Sequence, residues 1–159
     1  MNKIIKVALI GLFSLVFMPQ ASAQAKYKCM LQMTNYDGLE AYVVVSLVDA
    51  KGNYEKTLYV MGPDKQWYNG FKEWNAKLSK KKEKLNGITG ASVAAGNRTI
   101  TTFSIDESKL NKGYTLRFET SVEDKVNHTK DVEIALTTED ITKKTEGNGY
   151  IRYVKLNKI

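Results

Sequence analysis

Seven short segments of the chain have the composition of β-strands and are separated by turns, and this pattern restricts the chain to a β-rich fold. The alternation of inward and outward residues is clearest where Leu116, Phe118 and Thr120 are separated by Arg117 and Glu119. A period of two places successive side chains on opposite faces of a strand, as in an antiparallel sheet with one face buried. The segments predict a single antiparallel β-sandwich of the immunoglobulin-like type. They are residues 27–34, 41–49, 54–61, 98–105, 113–123, 130–137 and 149–156.

One segment with a different period predicts an inserted helix. Trp67, Phe71, Trp74 and Leu78 follow one another at intervals of four, three and four residues. That spacing lines one face of an amphipathic helix, so we expect a helix over residues 66–80. The alternation of the strands also predicts which side chains share the sandwich core. The predicted core residues are Val45, Leu47, Leu116, Phe118, Ile134 and Leu136.

The beginning of the chain has the composition of a secretory signal peptide. Two lysines near the start are followed by an apolar run at 7–18 and by Ala21-Ser22-Ala23. The run has the length of a signal-peptide core and is too short to span a membrane. We therefore expect residues 1–23 to be cleaved. Residues 24–159 then form a single domain, periplasmic or otherwise extracytoplasmic, that does not span a membrane.

The net charge of the chain gives little support for nucleic-acid binding. The formal charge is +7, and Lys3 and Lys6 leave with the signal peptide, so the mature chain carries +5. These charges are scattered along the sequence, apart from the lysine-rich residues 80–84. A basic surface can bind nucleic acid or anionic lipid. An exported chain meets little nucleic acid, however, and we exclude it as a partner.

The sequence offers few side chains for catalysis or metal binding. His128 is the single histidine, which excludes a site that holds a metal ion with several histidines. Cys29 is the single cysteine and cannot form an intramolecular disulfide. It lies in a predicted strand without a nucleophile motif, which favours a structural thiol. The sequence therefore predicts neither a catalytic residue nor a metal site.

The segment Asn86-Gly87-Ile88-Thr89-Gly90-Ala91-Ser92 combines small and hydroxyl-bearing residues between the predicted helix and the next strand. Its two glycines allow positive φ angles and the close approach of a bulky group. Ser92 is then a presented hydroxyl in an exposed loop that another protein can reach. A plain turn is the alternative interpretation, because Asn-Gly and Thr-Gly pairs are common in turns.

This segment resembles the acceptor motif of proteins that extracytoplasmic FAD:protein FMN transferases modify. That motif consists of Asp, two variable residues, Ser or Thr, Gly, Ala, and a final Ser or Thr. The resemblance implies that FMN is attached covalently to Ser92 through a phosphoester bond. Asn86 stands where the motif usually has Asp. The cofactor-binding residues that the resemblance implies are Asn86, Gly87, Thr89, Gly90, Ala91 and Ser92.

Two neighbouring features allow both a flavin-related and a structural interpretation. Trp67 and Trp74 are candidate contacts for the flavin ring, or they pack the helix onto the sheet. The lysines of residues 80–84 attract the flavin phosphate, or they form the solvated end of the helix.

The order of the segments is similar to that of a family of predicted periplasmic domains of unknown function, numbered 2271. The resemblance implies an exported flavin-carrying electron-transfer protein with a PepSY-type membrane redox partner, and favours a redox carrier over a stand-alone enzyme. The competing interpretation is an exported, cofactor-free β-sandwich module that binds a protein or polysaccharide. The similar residues are 41–45, 49–53, 56–58, 67–74, 89–92 and 113–128.

Overall fold

The computed structural model describes residues 23–159, and the predicted signal peptide, apart from its last residue, lies outside them. The described chain forms nine strands, one α-helix and two short 3₁₀ helices. The strands are β1 (Gln24–Met33), β2 (Tyr42–Val48), β3 (Tyr54–Met61), β4 (Thr89–Gly90), β5 (Arg98–Asp106), β6 (Thr115–Ser121), β7 (His128–Ala135), β8 (Thr145–Glu146) and β9 (Ile151–Lys158). The helices are the 3₁₀ helix Lys65–Gly70, α1 (Lys72–Lys81) and the 3₁₀ helix Glu107–Lys109.

The strands form two sheets that pack face to face. The first sheet has the order β5-β1-β9-β8, and the second has the order β4-β3-β2-β6-β7. Neighbouring strands are antiparallel except β3 and β4, which run parallel with Val60 opposite Thr89. The predicted mainly β fold, a sandwich that carries one inserted helix, is confirmed.

The main core lies between the two sheets. In β1 every second residue from Ala25 to Met33 is buried, because alternate side chains point toward the second sheet. Cys29 is one of these residues, and burial raises the pKa of its thiol to about 12. The thiol is therefore a protonated packing group. The six predicted core residues all lie in this cluster, each at most 2% exposed: Val45, Leu47, Leu116, Phe118, Ile134 and Leu136.

A second apolar cluster covers the outer face of the second sheet. Val44 of β2 points outward and is covered by Tyr68, Phe71 and Trp74 from the helical segment. The Trp74 indole Nε1 donates a hydrogen bond to Thr57 Oγ1 at 3.0 Å. Helix α1 thus packs on β2 and β3, and β2 is buried on both faces because each face has its own apolar cover.

The helix begins later than the sequence pattern predicts. Residues Lys65–Gly70 form a 3₁₀ helix, and α1 begins at Lys72. Phe71 separates the two helices. Just before it, at Gly70, a Cβ atom would lie 2.3 Å from Ser121 Oγ, so the chain passes close to β6 where the helix is interrupted.

A buried carboxylate fixes the beginning of β9. Asp131 accepts hydrogen bonds from Thr120 Oγ1 at 2.7 Å and from the backbone amides of Asn148, Gly149 and Ile151 at 3.1, 2.8 and 3.0 Å. The residue is 0% exposed, so these four donors replace the water that its charge would otherwise bind. The network joins β7 to the turn before β9.

Candidate functional site

The segment that precedes Ser92 is held to the second sheet by backbone hydrogen bonds. The Val60 amide donates to Ile88 O at 2.8 Å, and the Gly62 amide donates to Gly90 O at 2.7 Å. The sequence predicts an exposed loop at this position. The structure instead gives a short strand, β4, which runs into Ser92, a residue that is half-buried.

A second anchor follows directly after Ser92. Ala41 and Val93 exchange two backbone hydrogen bonds, of 2.8 and 2.9 Å. The Tyr36 hydroxyl joins the same two residues, because it accepts from the Ala41 amide at 2.8 Å and donates to Val93 O at 3.0 Å. Ser92 is thereby held between two fixed backbone points.

The two glycines of the motif have different structural roles. Gly87 has a φ angle of +79°, a left-handed conformation that side chains disfavour, with open space around it. Gly90 has no positive φ, but a Cβ atom there would lie 2.4 Å from Tyr59 Oη. Gly87 therefore makes the turn, whereas Gly90 lets the chain pass close to a tyrosine hydroxyl.

The Ser92 hydroxyl contacts a carboxylate that no sequence motif indicates. Ser92 Oγ donates a hydrogen bond to Glu40 Oε2. The backbone pairing of Ala41 with Val93 brings the two residues together, because Glu40 precedes one member of the pair and Ser92 precedes the other. Glu40 lies in a turn far from Ser92 along the chain, and no spacing rule connects them.

Ser92 and Glu40 lie at the rim of a cavity of about 610 Å³. This volume falls within the range of small-molecule binding sites, roughly 300–1,000 Å³. Trp67 and Tyr42 contribute aromatic surface to the lining, and Leu39 extends it toward solvent. Trp67 is 41% exposed and Leu39 is 63% exposed. The site therefore offers an open apolar and aromatic wall beside a serine hydroxyl.

The lining of the cavity also contains polar residues. Ser121 Oγ donates to Asn127 Oδ1 at 2.7 Å, and the Asn127 amide donates to Gly70 O. The charged residues in the lining are Glu40, Glu123, Asp124 and Lys125. Lys125 is the cation of this lining, and none of the lysines in residues 80–84 contributes to it.

Only Ser92 and Trp67 of the predicted site residues line this cavity, and Asn86, Gly87, Thr89, Gly90, Ala91 and Trp74 do not. Trp74 is 1% exposed and packs edge-on against Tyr68 and Phe71, so it is a packing residue and only Trp67 lines the cavity. Asn86 lines a different, smaller cavity of about 280 Å³ together with Lys84. The structure thus brings Ser92 and Trp67 to one cavity, while Asn86 belongs to another.

The described residues contain no group of three or more His, Cys, Asp or Glu side chains that could hold a metal ion. His128 instead packs edge-on against Tyr150, with ring centroids 4.9 Å apart. No helix within residues 23–159 is long and apolar enough to cross a membrane.

Comparison with known proteins identifies one family. A family model described as a predicted periplasmic protein (DUF2271) matches residues 24–153. Comparisons with curated proteins and with solved structures gave no match.

Proposed function

The chain belongs to this family of predicted periplasmic proteins, and from that premise we propose that it is a flavin-carrying electron-transfer protein with FMN attached to Ser92. The observation that carries the proposal is that Ser92 and Trp67 line the same large cavity. The resemblance of residues 86–92 to a flavin acceptor motif supports it. A covalent bond also suits a periplasmic protein, because a cofactor that dissociates outside the cytoplasm is lost.

The volume and the aromatic residues of the cavity fit the ring system of FMN. Trp67 and Tyr42 offer aromatic surface on which a flat ring system can pack. Ser121 and Asn127 offer hydrogen-bonding groups in the same lining. The flavin supplies the redox chemistry, and the protein supplies position and electrostatics. We propose a membrane redox protein of the PepSY type as the electron-transfer partner.

The attachment step is a transfer from FAD, catalysed by an FAD:protein FMN transferase. Ser92 Oγ forms a bond to the phosphorus atom of the FMN half, the bond between the two phosphates breaks, and AMP leaves. The serine proton is released in the same reaction. Glu40 already accepts the hydrogen bond of this hydroxyl. It therefore places a base beside the proton that must leave.

The proposal is tested by exporting the full chain together with an FAD:protein FMN transferase and measuring the intact mass. We expect the mass of FMN less one water on the wild type and none on Ser92→Ala. Ser104→Ala removes an exposed hydroxyl from β5 and serves as the control that stays fully labelled. Thr89→Ala should label less, and Asn86→Asp should label more, because each changes the match to the acceptor motif. Unlabelled wild-type protein, or labelled Ser92→Ala, would contradict the proposal.

Glu40 gives a second prediction on the same assay. Glu40→Gln keeps the size of the side chain but removes its basicity, so the initial rate of labelling should fall at least about tenfold. Glu123→Gln changes another carboxylate of the same cavity and is the matched control. Equal rates for both variants would show that Glu40 has no part in the transfer, although Ser92 remains the acceptor.

A cofactor-free binding module is the second candidate function. The exposed side chains of Leu39 and Trp67 at the cavity favour it, since a sugar ring or an apolar side chain can pack on such a surface. A wild-type protein that stays unlabelled beside an active transferase would support this function in place of the flavin carrier.

A further inference from the structure

The outer face of the first sheet collects basic residues from strands that are distant along the chain. Lys26 and Lys28 of β1 alternate with buried residues and point away from the core. Lys155 of β9 and Arg98 of β5 are also exposed. The lysines that look scattered in the sequence are therefore neighbours in the folded sheet.

The strand register places these cations around two apolar side chains. Met30 lies between Ile100 of β5 and Lys155 of β9, and adjacent strands are about 4.8 Å apart. Ile100 is 55% exposed, although it is a large apolar residue. We name this surface the basic face. It consists of Lys26, Lys28, Met30, Arg98, Ile100 and Lys155.

Two carboxylates share the outer face of the first sheet with these cations, because Asp106 lies opposite Gln24 and Glu146 lies opposite Tyr153. Among the residues that the structure describes, none of the ion pairs involves Lys26, Lys28, Arg98 or Lys155. Arg98 donates to neutral acceptors, Gln32 Oε1 at 3.1 Å and Tyr153 Oη at 3.3 Å. Other basic residues do pair with carboxylates. Those pairs are Lys109 with Glu55, Arg117 with Glu133, Lys143 with Glu139 and Asp140, Lys144 with Glu146, and Lys158 with Glu107.

We propose that the basic face docks on the surface of an anionic phospholipid bilayer. A bilayer is a flat anionic surface, and this face is a sheet surface with several cations and an exposed apolar centre. Neither of the two cavities described above is lined by a residue of the basic face. We therefore expect the basic face to bind the bilayer mainly through charge. Such binding weakens at high salt, because salt shortens the Debye length.

Docking through this face leaves the Ser92 cavity accessible. The cavity is lined by Tyr42 and Ser121, which lie on the second sheet, whereas the basic face belongs to the first. The main core separates the two surfaces. The docking proposal therefore does not depend on flavin attachment, and the following experiment needs no flavin.

The test is sedimentation of the purified protein with lipid vesicles of two compositions. We expect binding to vesicles of phosphatidylcholine mixed with phosphatidylglycerol, no binding to phosphatidylcholine alone, and loss of binding at high salt. Equal binding to both compositions would overturn the proposal. Binding of the protein to soluble polyglutamate but not to vesicles would also overturn the proposal. That result would indicate that the basic face binds an acidic protein.

Two triple variants distinguish the effect of the basic face on vesicle binding from the effect of the net charge of the protein. Lys26→Gln, Lys28→Gln and Lys155→Gln together should weaken vesicle binding at least about tenfold. Lys72→Gln, Lys77→Gln and Lys80→Gln remove the same charge from exposed positions of α1 and should leave binding within about twofold. Equal weakening by both variants would overturn the proposal. Unchanged circular dichroism and melting temperature establish that both variants are folded.

Discussion

Asp131 is a charged residue that the structure buries completely and surrounds with four hydrogen-bond donors. Asp131→Ala removes the acceptor and leaves several buried donors without a partner. We expect it to lower the free energy of unfolding by about 3 kcal/mol or more. Urea denaturation measures the change. Asp37→Ala, at an exposed position, is the control and should change stability by less than about 0.5 kcal/mol.

Glu119 is also a buried carboxyl but, unlike Asp131, it has an oxygen without a partner. Its Oε2 atom has no hydrogen-bond partner among the described residues. Burial raises the pKa of Glu119 from 4.5 to about 7; Arg117 opposes the shift and Glu73 adds to it. The folded state therefore holds a proton that the unfolded state releases at lower pH. The stability that this group contributes is full below pH 4.5 and is lost as the pH rises through about 7.

The Glu119 prediction is tested by comparing wild type with Glu119→Gln. The wild type should lose up to about 3 kcal/mol relative to the variant between about pH 5 and pH 8. Urea midpoints at the two pH values, converted to free energies, measure this difference. A constant difference across the range would show that Glu119 does not titrate between these pH values.

At the residue level the sequence predicts Ser92 as the acceptor but not the residues around it. The acceptor-like motif is local, so a single segment is enough for this prediction. Glu40 reaches Ser92 only through the backbone pairing of Ala41 with Val93, and Trp67 reaches the same cavity only through the packing of its helix. Contacts of this kind have no signature in a local pattern.

The helical segment depends on Trp74 for its attachment to the second sheet. Trp74 is 1% exposed, packs against Phe71 and donates to Thr57. Trp74→Ala should lower the free energy of unfolding by about 3–5 kcal/mol, because it leaves a large cavity in the apolar cluster. Trp67→Ala is the matched control, and at 41% exposure its cost should stay below about 1 kcal/mol. Similar losses for both variants in urea denaturation would contradict this assignment of their roles.

The predicted elements are correct where a period extends over several residues. Apolar residues recur at every second position of residues 114–118 and 132–136, and strands β6 and β7 lie there. The break at Phe71 could not be predicted, because the apolar spacing does not show the close approach of Gly70 to Ser121 on another strand. Strand β4 is two residues long and too short to show any period.

Across the whole molecule, the fold separates two surfaces of different character. The Ser92 cavity has three carboxylates and one lysine in its lining, whereas the basic face brings together four cations on the outer side of the first sheet. Strand pairing creates this separation, because it places Lys155 of β9 close to Lys26 and Lys28 of β1. The sequence alone shows scattered lysines, since it does not state which distant strands are neighbours.

The position of β1 between β5 and β9 has a consequence for biogenesis. Strand β1 is the first strand of the described chain to be synthesised. Its hydrogen bonds on one edge are completed only by Ile151–Lys158, which follow long afterwards. Closing so long a stretch of chain slows folding. Until β9 pairs with it, β1 presents an unpaired edge, and such an edge favours aggregation.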